Sequence, residues 1–122
     1  MEQLLRITAN SSIFVLTGAG ISKESGVNTF RDRGGLWENH RIDEVASPEG
    51  FRKNPSLVYD FYNKRRKELN SGIEPNKGHY CLSELEKTFK INIITQNIDN
   101  LHEKTESSSI IHMHWELNKA TY

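Results

Sequence analysis

The ten residues from Ile13 to Ser22, IFVLTGAGIS, decide the expected fold. Their first half is a short apolar run, which predicts a buried strand, and the glycines after it predict a tight turn into a short helix. Such a turn can bind phosphate, because backbone amides point at the anion and glycine lets the chain approach closely. Gly18 and Gly20 fit the first two positions of a dinucleotide-binding fingerprint.

The glycine fingerprint after this strand is incomplete. Its third position is Lys23 instead of glycine. No acidic residue clearly ends a second strand about 20 residues later, as the ordinary ribose-binding pattern requires. The motif taken alone is therefore as compatible with a turn that binds nothing as with a nucleotide site.

Two further apolar runs, 91–95 and 110–114, predict two more buried strands. Helical stretches separate the three strands, which is typical of an α/β fold with a mostly parallel sheet. A parallel sheet needs both faces covered. The chain stops soon after the third run, so we expect a partial sheet with flanking helices and an exposed apolar face available for association.

Three helices are predicted between the glycine segment and the second strand. Ser47 and Asn54 are N-cap candidates, and each precedes a proline, which suits the first helical position. The helix after Asn54 should run to about Asn70, and the third should begin near Asn76. Its expected buried face consists of Leu82, Leu85 and Phe89.

The composition excludes several classes of protein. The chain is 35% hydrophobic and 26% charged, with a mean hydropathy of −0.66. Sixteen basic and sixteen acidic residues cancel, so no net charge draws it to nucleic acid or anionic lipid. It has neither a membrane-spanning run nor a signal-peptide pattern, so a cytoplasmic location is expected. Its single cysteine, Cys81, excludes an internal disulfide or a cysteine-based zinc site within these residues.

The polar stretch 26–40 is predicted to be a loop, long enough to be functional or mobile. Ser25-Gly26-Val27, Thr29-Phe30-Arg31 and Gly35-Leu36-Trp37 follow the glycine turn at defined spacings. Together with residues 18–22 they resemble the cofactor-binding segment of sirtuins, which are NAD-dependent protein-lysine deacylases. The implied fold is the N-terminal half of a sirtuin catalytic domain, a partial Rossmann-like parallel sheet.

A second motif, Thr95–His102 (TQNIDNLH), follows the second predicted strand. An Asn/Asp helix cap would explain such residues on their own. The octapeptide nevertheless resembles the sirtuin signature T-Q-N-x-D-x-L-H at every fixed position, and ligands of open α/β sheets bind beyond the carboxyl ends of strands. The resemblance implies that Gln96, Asn97 and Asp99 contact NAD. Asn97 would position the ribose and a water, and Asp99 would hydrogen-bond the nicotinamide carboxamide.

The resemblance also assigns the remaining cofactor contacts. Ala19 and Phe30 would line the nicotinamide region, and Arg31 would lie beside the ribose and phosphates. A guanidinium suits phosphate and an aromatic ring suits a flat heterocycle. The implied cofactor-binding residues are Gly18, Ala19, Gly20, Ile21, Ser22, Ser25, Gly26, Thr29, Phe30, Arg31, Gly35, Trp37, Gln96, Asn97, Ile98 and Asp99.

Two histidines are candidates for the catalytic base. His112 and His114 should face the same side of the third strand. Zinc binding by this pair would need two further ligands that the sequence does not identify. The segment after His114 resembles the sirtuin pattern of a catalytic histidine followed by Gly-Glu-Leu, which implies that His114 is the base and His112 is structural. Trp115 replaces the glycine, which adds bulk where an acyl-lysine would thread and leaves activity open.

The second predicted helix carries Tyr62 and Arg65 one turn apart. A phenol and a guanidinium together suit a carboxylate. The spacing by itself also fits an amphipathic helix with basic residues in solvent. At this place, Y-x-x-R resembles the substrate pair of the bacterial-like sirtuin subgroup that removes succinyl and malonyl groups.

The resemblance runs from about Ile13 to Lys119. Residues 1–122 are therefore expected to form an incomplete NAD-binding catalytic domain. A complete sirtuin continues into a zinc module with two Cys-x-x-Cys pairs and the second half of the Rossmann sheet. Zinc is expected for that full domain, but its ligands are not among these residues.

The implied activity is NAD-dependent deacylation of acyl-lysine proteins, including deacetylation, desuccinylation and demalonylation. Its products would be nicotinamide, free lysine and O-acyl-ADP-ribose, and its catalytic residues His114, Asn97 and Asp99. Two alternatives stay open. One is a truncated, catalytically inactive NAD- or ADP-ribose-binding domain, and the other is an NAD glycohydrolase in which water replaces the acyl-lysine.

Overall fold

The computed structural model describes residues 6–28 and 36–119. Its elements in chain order are β1 (Ser12–Thr17), α1 (Ala19–Lys23), β2 (Leu36–Trp37), β3 (His40–Arg41), α2 (Ile42–Val45), α3 (Pro48–Lys53), α4 (Pro55–Asn70), α5 (Lys77–Leu85), β4 (Lys90–Thr95), α6 (Leu101–Lys104) and β5 (Ile110–His112). Within the described residues no helix is both long and apolar enough to cross a membrane.

The central sheet has three parallel strands in the order β1-β4-β5. Ile13 pairs with Ile91 and Thr17 with Thr95, and Thr95 also pairs with His112. All three strands therefore end at the same edge of the sheet. The prediction of an α/β fold with a partial parallel sheet and flanking helices is confirmed.

The two faces of this sheet differ in burial. Ile91, Ile93 and Thr95 lie on the face covered by helices and are at most 2% exposed. On the other face Phe14 is 67% and Leu16 is 64% exposed. The prediction of a fully buried first strand is therefore wrong for every second residue. The expected exposed apolar face is present, and association through it stays a prediction.

Three local predictions need correction. The third strand ends at His112, and residues 113–114 form a bend. The predicted loop 26–40 contains strand β2 and the start of β3, joined by two residues with positive φ. Helix α5 ends at Leu85, which is 41% exposed, so Phe89 lies beyond the helix and the predicted buried face does not form. Periodicity misled here because the helix is shorter than the pattern.

A second core lies under the hairpin formed by β2 and β3. Trp37, Val45 and Phe61 are its buried residues. The rings of Trp37 and Phe61 meet edge to face with centroids 4.7 Å apart, a preferred aromatic geometry. Ile42, Tyr62 and Ile98 pack around them. This core joins α4 to the segment that follows β4.

The predicted N-caps are all present. The Ser47 hydroxyl accepts a hydrogen bond from the Gly50 amide at 2.9 Å, and the Asn54 side chain accepts one from the Leu57 amide at 3.2 Å. Asn76 caps α5 in the same way, accepting from the Gly78 amide at 2.9 Å. These side chains satisfy amides that have no partner inside their own helix.

Asn76 does more than cap its helix. Its side-chain nitrogen donates to the Ile21 carbonyl at 2.6 Å and to the Ser25 hydroxyl at 2.9 Å, so α5 holds the glycine segment. We expect Asn76→Ala to lower the free energy of unfolding by about 2–3 kcal/mol, from one cap and two tertiary hydrogen bonds. Asn54→Ala removes only a cap and should cost about 1 kcal/mol. Equal losses in urea denaturation would contradict this role.

Candidate functional site

A cavity of about 580 Å³ opens at the edge where the sheet strands end. Such a volume is in the range of small-molecule sites. Ligands of open parallel sheets bind at this edge. The residues lining the cavity are Ala19, Gly20, Ser22, Gly26, Val27, Asn28, Trp37, Glu38, Arg65, Glu68, Leu69, Gln96, Asn97, Ile98, Asp99, His114 and Leu117.

Most of the described residues implied by the resemblance reach this cavity. They come from the glycine segment, the hairpin, α4, and the segments after β4 and β5. Gly18, Ile21 and Ser25 do not line it, but each takes part in a hydrogen bond that positions residues around it. The assignments to Thr29, Phe30, Arg31 and Gly35 lie outside the described residues.

Asn97 and Asp99 form one hydrogen-bonded unit with the glycine segment. The Ser22 hydroxyl donates to Asp99 Oδ2 at 2.8 Å. The side-chain nitrogen of Asn97, Nδ2, donates to the Gly18 carbonyl at 3.0 Å and to the Ser22 hydroxyl at 3.2 Å. Asp99 Oδ1 also accepts from the Leu101 amide at 3.1 Å, so it holds the turn into α6 as well. The N-cap of α6 is Asn100 and its side chain caps nothing, so helix capping does not explain this motif: one oxygen of Asp99 holds the turn before α6, while the other oxygen and Asn97 bind the glycine turn.

The backbone of residues 96–99 is held by the segment that follows β5. The Leu117 amide donates to the Ile98 carbonyl at 2.8 Å. His112 Nδ1 donates to the Asn97 carbonyl, also at 2.8 Å. Residues separated by 15 to 19 positions are thus fixed against each other. Asn97 and Asp99 are preorganised before any ligand binds.

The two candidate histidines have different surroundings. His114 is exposed and lines the cavity. The side chain of His112 is 7% exposed, and its Nε2 lies 2.6 Å from Glu103 Oε1 and 3.2 Å from Glu116 Oε1. The expectation that both imidazoles face the same side of a strand is wrong, because the strand ends between them. The geometry leaves His114 available to a ligand and commits His112 to the protein.

His112 is charged over a wider pH range than an ordinary histidine. Burial by itself lowers its pKa, but the hydrogen bonds to Glu103 and the Asn97 carbonyl, with the charges of Glu103 and Glu116, outweigh burial and raise the pKa. Donor atoms of Glu103, His112 and Glu116 lie within 4.8 Å of one another, close enough to hold a metal ion. The sequence did not identify these two carboxylates as neighbours of the histidines. When His112 is protonated, the hydrogen on its Nε2 faces these two carboxylates and supplies the positive charge that a metal ion would otherwise supply.

His112→Gln is expected to lose stability in a pH-dependent way. A raised pKa in the folded state stabilises fully below the unfolded value of about 6.5, and this contribution disappears as the pH rises through the folded pKa. The loss in the free energy of unfolding should be about 2 kcal/mol at pH 5.5 and smaller at pH 8.5. Urea denaturation across this range measures it. The same loss at every pH would contradict the ion pair.

His102 provides a control, because its pKa is shifted in the opposite direction to that of His112. It is 1% exposed, and burial, followed by the nearby His79, lowers its pKa. Its contribution is therefore present above pH 6.5 or so and is lost as the pH falls toward the folded pKa. His102→Gln should reduce the acid-side loss of stability, which His112→Gln cannot do.

Tyr62 and Arg65 lie on one face of α4 but meet different neighbours. The ring of Tyr62 packs edge to face on the rings of Trp37 and Trp115, with centroid distances of 5.8 Å and 5.0 Å. Burial raises the pKa of its phenol to about 12. Arg65 lines the cavity, whereas neither Tyr62 nor Trp115 is among the described lining residues. The indole that replaces the expected glycine therefore stacks on Tyr62 instead of filling the cavity.

Sequence reasoning missed several lining residues. They are Val27, Asn28, Glu38, Glu68, Leu69 and Leu117. Glu68 carried a usable signal, because it lies three residues after Arg65 on the same helix. Glu38 carried none, since only the fold of the hairpin brings it to α4.

The fold is α/β, and its cavity lies at the carboxyl ends of parallel strands, where open α/β sheets bind their ligands. Residues 18–122 match the model of the Sir2 family, and the chain belongs to this family, the sirtuins. It is 56% identical over 108 residues to an NAD-dependent protein deacylase of Bacteroides thetaiotaomicron. This match covers 88% of this chain and 46% of that protein. The chain thus spans about half the length of the curated relatives it matches.

Solved Sir2 structures confirm the fold. A mutant Sir2 homologue in complex with ADP-ribose matches with a TM-score of 0.76 and 42% identity, over 84% of this chain and 42% of that one. A Sir2 homologue in complex with NAD matches with a TM-score of 0.71 and 45% identity, over 84% and 41%. The expectation of a sirtuin-type partial Rossmann fold is confirmed.

Proposed function

We propose that the protein is an NAD-dependent protein-lysine deacylase that yields nicotinamide, free lysine and O-acyl-ADP-ribose. The observation that carries the proposal is the convergence of Asn97, Asp99 and His114 on one cavity at the carboxyl edge of the sheet. Relatives that match this chain are named NAD-dependent protein deacylases, and similar structures hold NAD or ADP-ribose.

The residues around the cavity fit NAD. A Cβ built on Gly20 meets nothing within 4 Å, so a ligand can approach the backbone there. Asn97 and Asp99 present amide and carboxylate groups suited to a ribose and a carboxamide. Bound NAD would supply a ribose carbon from which nicotinamide leaves. Asn97 would hold the ribose, Asp99 the carboxamide, and the exposed imidazole of His114 would accept a ribose hydroxyl proton.

The preference for acidic acyl groups is the finer part of the proposal. Arg65 is a buried cation in the cavity wall, and a guanidinium recognises a carboxylate through paired hydrogen bonds. Tyr62 does not line the cavity itself, but it would support the wall by packing against Trp37, which does. Succinyl- and malonyl-lysine proteins are the proposed substrates, with acetyl-lysine as the neutral comparison.

The division into domains and a cytoplasmic location stay predictions.

Nicotinamide release tests the proposal. The protein is incubated with NAD and with succinyl-, malonyl-, acetyl- or unmodified lysine peptide. Release that requires an acylated peptide supports deacylation. Release of the same rate without any acylated peptide identifies an NAD glycohydrolase instead.

A second candidate is a binding domain without catalysis, which Trp115 favours because it follows His114 in place of the expected glycine. A chain that releases no nicotinamide but gives heat with ADP-ribose in calorimetry has this function. No heat with either NAD or ADP-ribose excludes both candidates for this polypeptide.

A further inference from the structure

The guanidinium of Arg65 is already paired in the protein. Its Nε donates to Glu68 Oε2 at 2.8 Å and its Nη2 donates to Glu68 Oε1 at 3.1 Å. Glu38 Oε2 lies 3.9 Å from Nη1, and the ring of Phe61 lies under the guanidinium at 4.9 Å. Glu68 therefore occupies one bidentate face of the cation, the geometry in which arginine binds a carboxylate most strongly.

The charges around Arg65 disfavour an incoming anion. One guanidinium faces the carboxylates of Glu68 and Glu38, so the group carries a net negative charge when all three are ionised. A carboxylate that enters the cavity beside them meets repulsion instead of a free cation. A neutral acyl group meets no such repulsion.

The three side chains differ in how easily they can move. The side chain of Arg65 is 10% exposed, whereas that of Glu68 is 44% exposed. Glu38 is 21% exposed and also accepts a hydrogen bond from Asn28. Glu68 can swing into water at low cost, since a solvated carboxylate needs no protein partner. Arg65 cannot leave, because an unpaired buried cation is strongly unfavourable.

We propose that Glu68 is a specificity-determining residue, an internal carboxylate that an acidic acyl group must displace from Arg65. This inference rests on the proposed role of Arg65 as the acyl receptor. Exchange of one carboxylate for another keeps Arg65 paired, so the acidic ligand binds at the expense of the Glu68 contact. Neutral acyl groups leave the Arg65–Glu68 pair in place, so Glu68 reduces the margin by which this protein prefers acidic acyl groups.

Peptide binding tests the role of Glu68 without requiring turnover. Fluorescent succinyl-lysine and acetyl-lysine peptides are titrated with protein in saturating ADP-ribose, and anisotropy gives each Kd. Glu68→Gln keeps the size of the side chain and removes its charge. It is expected to tighten the succinyl peptide on the order of tenfold, the scale of one charged hydrogen-bonded contact, and to leave the acetyl peptide unchanged.

Asp60→Asn is the matched control. Asp60 is an exposed acid on the same helix, so its substitution changes net charge equally without touching Arg65. It should leave both Kd values at the wild-type level. Glu68→Asp provides a second variant that keeps the charge and shortens the reach. It should fall between wild type and Glu68→Gln, with circular dichroism confirming that each variant is folded.

The outcomes separate this inference from the proposed function. Weaker succinyl binding by Glu68→Gln means that Glu68 positions Arg65, which overturns the displacement. An unchanged ratio of the two Kd values, or an equal gain from Asp60→Asn, also overturns it. If no variant binds the succinyl peptide, Arg65 is not the acyl receptor. The proposed preference for acidic acyl groups and the proposed role of Glu68 then both fail. Nicotinamide release by the wild type is judged independently.

Discussion

Replacing His114 by alanine is expected to slow acyl-lysine-dependent nicotinamide release by roughly 10²–10⁴-fold, the contribution typical of a general base. His114 is exposed on the cavity wall, and no hydrogen bond or ion pair to its ring is present among the described residues. Its loss should therefore change the free energy of unfolding by no more than about 0.5 kcal/mol. Initial rates with NAD and acylated peptide measure the effect.

ADP-ribose binding provides the control for this variant. His114→Ala should keep the wild-type Kd for ADP-ribose, because Asn97, Asp99 and the glycine segment are untouched. His112→Gln should behave differently, since it loses the bond that fixes the Asn97 carbonyl and weakens ADP-ribose binding together with stability. A wild-type rate for the His114→Ala protein would exclude His114 as the base and leave His112 as the remaining candidate.

The substitution Gly50→Ala is expected to give the largest loss of stability. Gly50 lies where α3 crosses the end of α2. A Cβ at this position would lie 2.5 Å from the Asp43 carbonyl oxygen and closer still to that of Glu44. Backbone atoms cannot rotate away as a side chain can, so the helices must separate. We expect a loss of about 3 kcal/mol, at the upper end for overpacking, in thermal or urea unfolding.

Gly20→Ala is the control for Gly50→Ala. Gly20 is also a helical glycine, but an added Cβ meets nothing within 4 Å. Its alanine variant should be neutral or more stable by up to about 1 kcal/mol, because alanine favours the helix. The methyl group would project beside the cavity and weaken ADP-ribose binding. Equal destabilisation by both substitutions would contradict the packing argument at Gly50.

Local chemistry made much of the fold predictable. The caps at Ser47, Asn54 and Asn76 follow from side chains that bond amides two or three residues away. The strands at 13–17 and 91–95 follow from apolar runs between glycine and polar residues. Predictions of burial were correct for Ile91 and Ile93 but failed for Leu85 and Phe14. Burial depends on which elements pack together, and spacing along the chain does not contain that information.

The candidate site divides in the same way. The motifs around Gly18 and Asn97 were evident from the sequence and lead to the family. Only the parallel register brings Ser22 within 2.8 Å of Asp99, across 77 positions of the chain. Neither the proximity of His112 to Glu103 and Glu116 nor the exposure of His114 could be read from an alternating pattern, because the strand ends between the two histidines.

The stretch Ile13–Ser22 by itself determined a strand, a glycine turn and a short helix, since each depends on neighbours within a few residues. With the motif at 95–102 it also determined the family. The tertiary structure decided the full set of charges that Arg65 faces. The sequence offered it as a free cation for an acidic ligand, but the packing of the hairpin against α4 adds Glu38 to the Glu68 pair. Charges interact through space, so their balance is settled only where the folded chain brings them together.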